Sequence, residues 1–356
     1  MTAYRDTYFP GTEQLAPDEM RVTALGTGRP FSRLAQANSG WLVELGNGDV
    51  FVFDFGFGSF SRFAALELAL SDVTALFASH LHVDHVGDFA AYWVSGRLGG
   101  RVDRLDFLGP SGSEPEHGFA AFSSHQLASY SWDRVTRTGL MPVAGDTVNV
   151  TEFEWSAVDV VYERNGVTVT SFPAVHIHDG AVSFRLDWAG LSFVYSGDTA
   201  PNRFLLEQAE GADVLVHESF NTADQLVRKS GYRSDRAKGV GGWAHTQPID
   251  AGRVFDLTRP GLGVAFHFNN DFDTGFEVGE QIRLHYDGPL ALADDLMVFN
   301  VRPGEPVRTR MAVASTRTWP QKRNHEAWNA ADLGERPVMA DWLQDARIDF
   351  TGSAGG

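Results

Sequence analysis

Residues 74–89, TALFASHLHVDHVGDF, decide how the rest of this chain is read. The apolar run Thr74 to Ser79 has the length of a buried strand, and the apolar positions between Asp84 and Leu98 recur at helical spacing, so the segment joining them is a strand-to-helix turn. That turn carries His80, His82, Asp84 and His85, three imidazoles and a carboxylate in six positions. Such a turn aims its side chains out of the sheet edge, and imidazole nitrogen with carboxylate oxygen is the donor set of catalytic zinc, which keeps one coordination position open. A lone histidine there would more often be solvated or satisfied within a core. Four ligand-type residues in one turn form a metal-binding pattern.

Outward from the turn, strand-like apolar runs recur at 20–26, 40–46, 50–56, 166–175, 180–188, 191–198 and 212–220. Helical patterns lie near Ser59–Leu70, Asp84–Leu98, Asn202–Ala209, Asn221–Ser230 and Gln247–Leu257, which makes the chain α/β. Several apolar runs lead into a polar residue: His176 with His178 close behind, Asp198, His217 and His267. Singly, each is an even choice between a solvated rim residue or turn former and a functional one. Together with the turn they make a count. Two cations about 3.5–4 Å apart need around six or seven protein ligands, with a carboxylate as the natural bridge. His80, His82, Asp84, His85, His176, Asp198 and His267 supply that number.

Composition narrows the chemistry. The chain has 356 residues, 43% of them hydrophobic, enough for a large core, and no cysteine, so any metal must be held by His, Asp or Glu. Lys and Arg total 29 against 46 Asp and Glu, a net charge of −17 with no basic footprint. Nucleic acid is therefore not expected as a partner, whereas a small-molecule substrate, even an anionic one, remains compatible with bound cations. The first twenty residues lack the apolar core of a secretory signal, and no run approaches the ~18–20 apolar residues of a membrane span, so a cytoplasmic protein without membrane association is expected.

The expected organisation is an N-terminal arm (1–20), a catalytic domain (21–302) with a helical insertion at about 109–147, and a C-terminal extension (303–356). The insertion, rich in Gly, Pro, Ser and aromatics, is expected to wall the site. The extension carries Trp319, Trp328 and Trp342 and offers a surface for packing on the domain or for a homodimer.

The HxHxDH turn, His176, Asp198 in SGDT and His267, in that order and with Asp54 in VFDFG before them, resemble the metallo-β-lactamase-fold hydrolases. The nearer likeness is to the ribonuclease Z and arylsulfatase-like branch, through ALGTG (Ala24 to Gly28), the His217–Glu218 pair and His245–Thr246. Within it the chain looks most like the hydrolases of guanitoxin-type biosynthetic clusters. The match runs from about Met20 to Val301.

This resemblance implies a four-layer αββα sandwich. It implies two Zn²⁺ ions, with Mn²⁺ or Fe²⁺ as alternatives: one held by His80, His82 and His176, the other by Asp84, His85 and His267, with Asp198 bridging. His178 stands as the alternative to His176. The resemblance also implies Asp54 as a support of the ligand turn, Asp84 as the residue orienting the attacking hydroxide, and His245, held by Glu218, as proton donor to the leaving group.

The expected function is hydrolysis of a small-molecule ester-type bond, whether carboxylic, phosphodiester or sulfate ester, through a metal-bridging hydroxide. The alternative is ribonuclease Z-like tRNA 3′ processing. Asp271 and Asp273, standing where the branch carries Ser and Arg, and the absence of a Gly- and Lys-rich tRNA arm favour the small substrate. A metal-binding scaffold without turnover and a di-iron redox protein are the remaining readings. Neither is signalled, because no imidazole of the turn and no acid–base residue is missing.

Overall fold

The structure is a computed structural model that describes residues 6–319 and 332–348; Trp328 and the terminal GSAGG lie outside the described residues. In chain order the strands are β1 (Thr7–Tyr8), β2 (Met20–Gly26), β3 (Gly40–Leu45), β4 (Val50–Phe55), β5 (Ala75–Phe77), β6 (Leu105–Pro110), β7 (Val148–Phe153) and β8 (Asp159–Arg164). They continue with β9 (Val167–Pro173), β10 (Val182–Trp188), β11 (Leu191–Tyr195), β12 (Val214–Glu218), β13 (Leu262–Phe266), β14 (Leu290–Leu292), β15 (Met297–Val301) and β16 (Arg308–Ala312). One sheet has the order β1-β16-β15-β2-β3-β4-β5-β6-β7, the other β14-β13-β12-β11-β10-β9-β8.

Side-chain alternation shows why the sheets stack. Along β4, Phe51 and Phe53 enter the same buried cluster as Phe193 and Tyr195 of β11, Val216 of β12 and Phe266 of β13. Val50, Val52 and Phe55 turn the other way, onto Phe63, Phe89, Tyr92 and Trp93 of the flanking helices. In the second sheet Val194, Leu215 and Ala265 point outward, against Leu205, Ala251, Phe255 and Ile282 of its own helices. Strands covered on both faces read as continuous apolar runs, as β3 and β4 do. The result is the expected four-layer αββα sandwich.

The helix expected from Asp84 to Leu98 is two: Val83–Val86 and Phe89–Leu98. Asp88, at the break, turns its carboxylate to the backbone N–H groups of Gly58 and Phe60, satisfying the start of the neighbouring helix Ser59–Ala65 instead of continuing its own. The insertion holds the helices Phe119–Ser129 and Ser131–Arg137, and its Phe119 and Phe122 pack on Phe89. Beyond residue 302, β16 still belongs to the first sheet, paired with β15 and, in parallel, with β1 from the N-terminal arm. Trp319 and Trp342 are exposed. Among the described residues no helix is long and apolar enough to cross a membrane.

Candidate metal centre and its flanking acid

The parallel strands of both sheets deliver polar residues from their C-terminal ends, where open α/β sheets place ligands. From the first sheet, β4 carries Asp54 next to its last residue, and β5, parallel to it, leads into His80 and His82, with Asp84 and His85 on the single turn that follows. From the second, β11 leads to Asp198, β12 ends at Glu218, and β13 leads to His267. His176 stands between β9 and β10, and His245 follows the helix Ser234–Trp243. Gly56 lets the first sheet close on the turn, because a Cβ there would meet the Asp84 carbonyl oxygen at 1.9 Å.

The sequence-predicted ligands converge as two groups that share Asp198. His80, His82, His176 and Asp198 have donor atoms within 4.8 Å of one another, and so do Asp84, His85, Asp198 and His267. His80 Nε2 lies 3.0 Å from His82 Nδ1, which lies 3.2 Å from His176 Nε2. Donors around a tetrahedral zinc at about 2.0–2.1 Å stand roughly 3.3 Å apart, so the spacing suits such an ion. His178 is exposed, its ring 6.4 Å from that of His117, and belongs to neither group. His217 is buried against Phe255, donates to the Glu218 carbonyl oxygen, and is also apart.

Outer hydrogen bonds decide which nitrogen faces inward. Ser79 Oγ gives its hydrogen to Asp54 Oδ2, so His80 Nδ1, 3.0 Å from Ser79 Oγ, must donate to Ser79 Oγ, and its Nε2 carries a lone pair. His176 Nδ1 donates to the Ala244 carbonyl at 2.7 Å and His85 Nδ1 to Asp54 Oδ2 at 2.5 Å, with the same result. His85 Nε2 then faces Asp198 Oδ1 at 3.2 Å, an acceptor opposite an acceptor, and both atoms are buried without a hydrogen-bond partner. Positive charge belongs between them, a proton on His85 or a metal ion, and the donor set around the pair fits a divalent metal.

The electrostatics agree. Burial pushes the His80 imidazole well below its ordinary pKa, as it does to a smaller extent His82 and His176, keeping them in the neutral, ligating form. At His85 burial acts the same way, but Asp198, Asp54 and Asp84 outweigh it and raise the pKa. Burial would raise Asp198, yet His267 and His85 hold it well below the usual carboxylate range. Two of the positions are also backbone-strained: Asp54 has φ 56° and His267 φ 67°, left-handed values that non-glycine residues keep where surrounding structure enforces them.

Asp54 anchors the turn. Its carboxylate accepts from Ser79 N and Oγ, from His85 Nδ1 and from Tyr195 OH at 2.5–2.7 Å, so one residue ties both sheets to the ligand loop. Beside the cage, His245 Nδ1 lies 3.1 Å from each carboxylate oxygen of Glu218, whose Oε1 also accepts from Thr199 N at 2.6 Å. A cavity of about 390 Å³ opens next to His80, His82 and His176 and is bounded by Pro110, His117 and His178.

Sequence reasoning missed Ser79 and Tyr195 as partners of Asp54, and Phe220, whose ring stacks on His245 at 4.2 Å and 17°. Their only sequence signal was position, next to a motif or at a strand end.

A sequence profile of the metallo-beta-lactamase superfamily matches residues 33–231. The ribonuclease Z of Mycolicibacterium gilvum (strain PYR-GCK) is 32% identical over 300 residues, covering 80% of this chain and 97% of that protein. The metallo-beta-lactamase fold protein YhfI from Bacillus subtilis superposes with a TM-score of 0.61 at 18% identity, over 80% of this chain and all of its own. Human tRNase Z, short form, does so with a TM-score of 0.59 at 18% identity, over 78% of this chain and 98% of its own. At such identity the two structures speak for the fold alone.

Proposed function

This chain belongs to the metallo-beta-lactamase superfamily, and from that premise we propose that it is a dinuclear metal-dependent phosphodiesterase that cuts RNA by ribonuclease Z-type hydrolysis. The expectation of a small-molecule substrate in place of nucleic acid draws no support from relatives named ribonuclease Z, and the alternative reading does. The observation that carries the proposal is the meeting of two ligand groups on Asp198, with an imidazole–carboxylate pair alongside.

In this reading His80, His82 and His176 would hold one ion and Asp84, His85 and His267 the other, with Asp198 common to both groups. Zinc suits the donors best, with manganese or iron(II) as substitutes. The ions supply Lewis acidity, lowering the pKa of water and polarising the phosphoryl oxygen. Asp84 orients the attacking water. The water gives up a proton to solvent as its oxygen adds to phosphorus, the bond to the departing oxygen breaks, and His245 gives that oxygen a proton. Glu218 fixes the His245 tautomer through Nδ1, leaving Nε2 for the transfer. Asp54 fixes His85 and the turn.

One set of observations favours a small ester instead. The net charge is −17, Lys229 is occupied by Asp271 and Asp273 at 3.1 and 2.5 Å, and among the described residues no Lys or Arg lines the cavity beside the first ligand group. The zinc-loaded protein incubated with precursor tRNA at low salt separates the two readings. A discrete 3′ trailer on a gel is the expected product. Intact RNA together with turnover of chromogenic carboxylic or sulfate esters would give the small-ester reading the place.

A further inference from the structure

Arg29, next to last in the ALGTGRP segment, is largely buried beside the site, where its guanidinium lies 3.8 Å over the ring of Phe220, the residue stacked on His245. One amino group donates to Asn221 Oδ1 at 3.0 Å; Nε is buried with no partner, and among the described residues no carboxylate reaches ion-pair distance of it. A buried cation without a counter-ion is costly, and such a charge persists in a fold where something completes it. Tyr232, Asp198, Glu218 and Asp84 act on the group electrostatically from beyond ion-pair distance, but none of the three carboxylates is left over for it: in the proposed function Asp198 and Asp84 face the metal ions and Glu218 faces His245. That leaves the guanidinium open to an anion from outside the chain.

We propose that Arg29 binds an anionic group, a phosphate, on the half of the substrate that departs from the scissile bond. The side is set by the stack, because Phe220 links Arg29 to the imidazole assigned to protonate the leaving oxygen, and a guanidinium is the side chain best suited to phosphate oxygens. Arg29 is thus a specificity-determining contact for the charge of the leaving half. This inference rests on the phosphodiesterase reading.

The test compares the dinucleotides ApU and pApU, cleaved at P–O3′ so that adenosine or its 5′-phosphate departs, with the metal-loaded wild type, Arg29→Met and Arg29→Lys. The wild type is expected to favour pApU about 10- to 100-fold in kcat/KM, the span of one hydrogen bond to a charged group. Arg29→Met is expected to lose more kcat/KM on pApU than on ApU and so to erase that preference, and Arg29→Lys restores part of it. Equal losses on both dinucleotides, or a preference that survives in Arg29→Met, would overturn the assignment and mark the residue as a support for Phe220.

Thermal shift with inorganic phosphate keeps the inference apart from the function it builds on. Phosphate is expected to raise the Tm of the wild type and of Arg29→Lys more than that of Arg29→Met. Equal shifts in all three overturn the assignment even if RNA is cut. Differing shifts without RNA cleavage uphold the anion site and discard the phosphodiesterase reading.

Discussion

Asp54 Oδ2 accepts the Nδ1 hydrogen of His85 at 2.5 Å and the hydroxyl of Tyr195 at 2.6 Å, so a residue outside the proposed ligand set fixes the tautomer of one inside it. Asp54 is wholly buried. Replacing it by Ala takes the acceptor away from Ser79 N and Oγ, from Tyr195 OH and from His85 Nδ1, and His85 Nδ1 is then without a partner among the described residues. The expected cost is about 3–5 kcal/mol, read from urea unfolding of the metal-stripped protein, with about 10- to 100-fold weaker metal binding in competition with a chelator. Unchanged unfolding and metal affinity would remove Asp54 from the account.

His245 and Glu218 make the second prediction. Burial alone would lower the His245 pKa, but Glu218 outweighs it and raises it, so the imidazole keeps its proton to higher pH. A group that must be protonated to act loses activity as pH rises through its pKa. Glu218→Gln should therefore move the basic limb of the kcat profile to lower pH. His245→Ala should cut kcat by about 10²- to 10⁴-fold while leaving metal content intact. A basic limb that stays in place in Glu218→Gln would mean that another group donates the proton.

The two ligand groups should empty separately. His82 touches only the first, so His82→Ala is expected to hold about one ion per chain by elemental analysis instead of two, the second group being complete. Full occupancy in that variant would show that the first group is not a site.

His217 gives a pH prediction for stability. Burial lowers its pKa from 6.5 to about 4, because the ring sits against Phe255 with one nitrogen unpartnered. The unfolded chain takes up that proton first. Stability is therefore full above pH 6.5 and is lost as pH falls toward 4, by about 3 kcal/mol from this residue. Denaturant titrations at pH 7 and pH 4 should show His217→Gln losing less on acidification than the wild type. Equal losses would place the acid sensitivity elsewhere.

How much of this was legible in the sequence follows from range. The turn His80 to His85 was readable because its ligands are consecutive, and His176, Asp198 and His267 because each closes an apolar strand. His176 separates from His178 only through the Ala244 carbonyl, 68 residues on, which sequence cannot place. The helix Ser234–Trp243 went unread because three glycines interrupt it, and β8, because DVVYER is mostly exposed and shows no clean alternation. β16 and β1 depend on each other across the chain ends, so neither announces itself locally. Arg29 looks like an ordinary turn residue until folding buries it against Phe220, and that burial is the information the sequence lacks.

The central claim is that seven side chains from two sheets cage a pair of cations. Its most direct test is the metal content of protein purified without chelators and reloaded with zinc. About two ions per chain are expected, both released by a strong chelator together with all hydrolytic activity. A protein that retains no divalent metal after reloading, or that hydrolyses its substrate equally well once stripped, would contradict the account at its base.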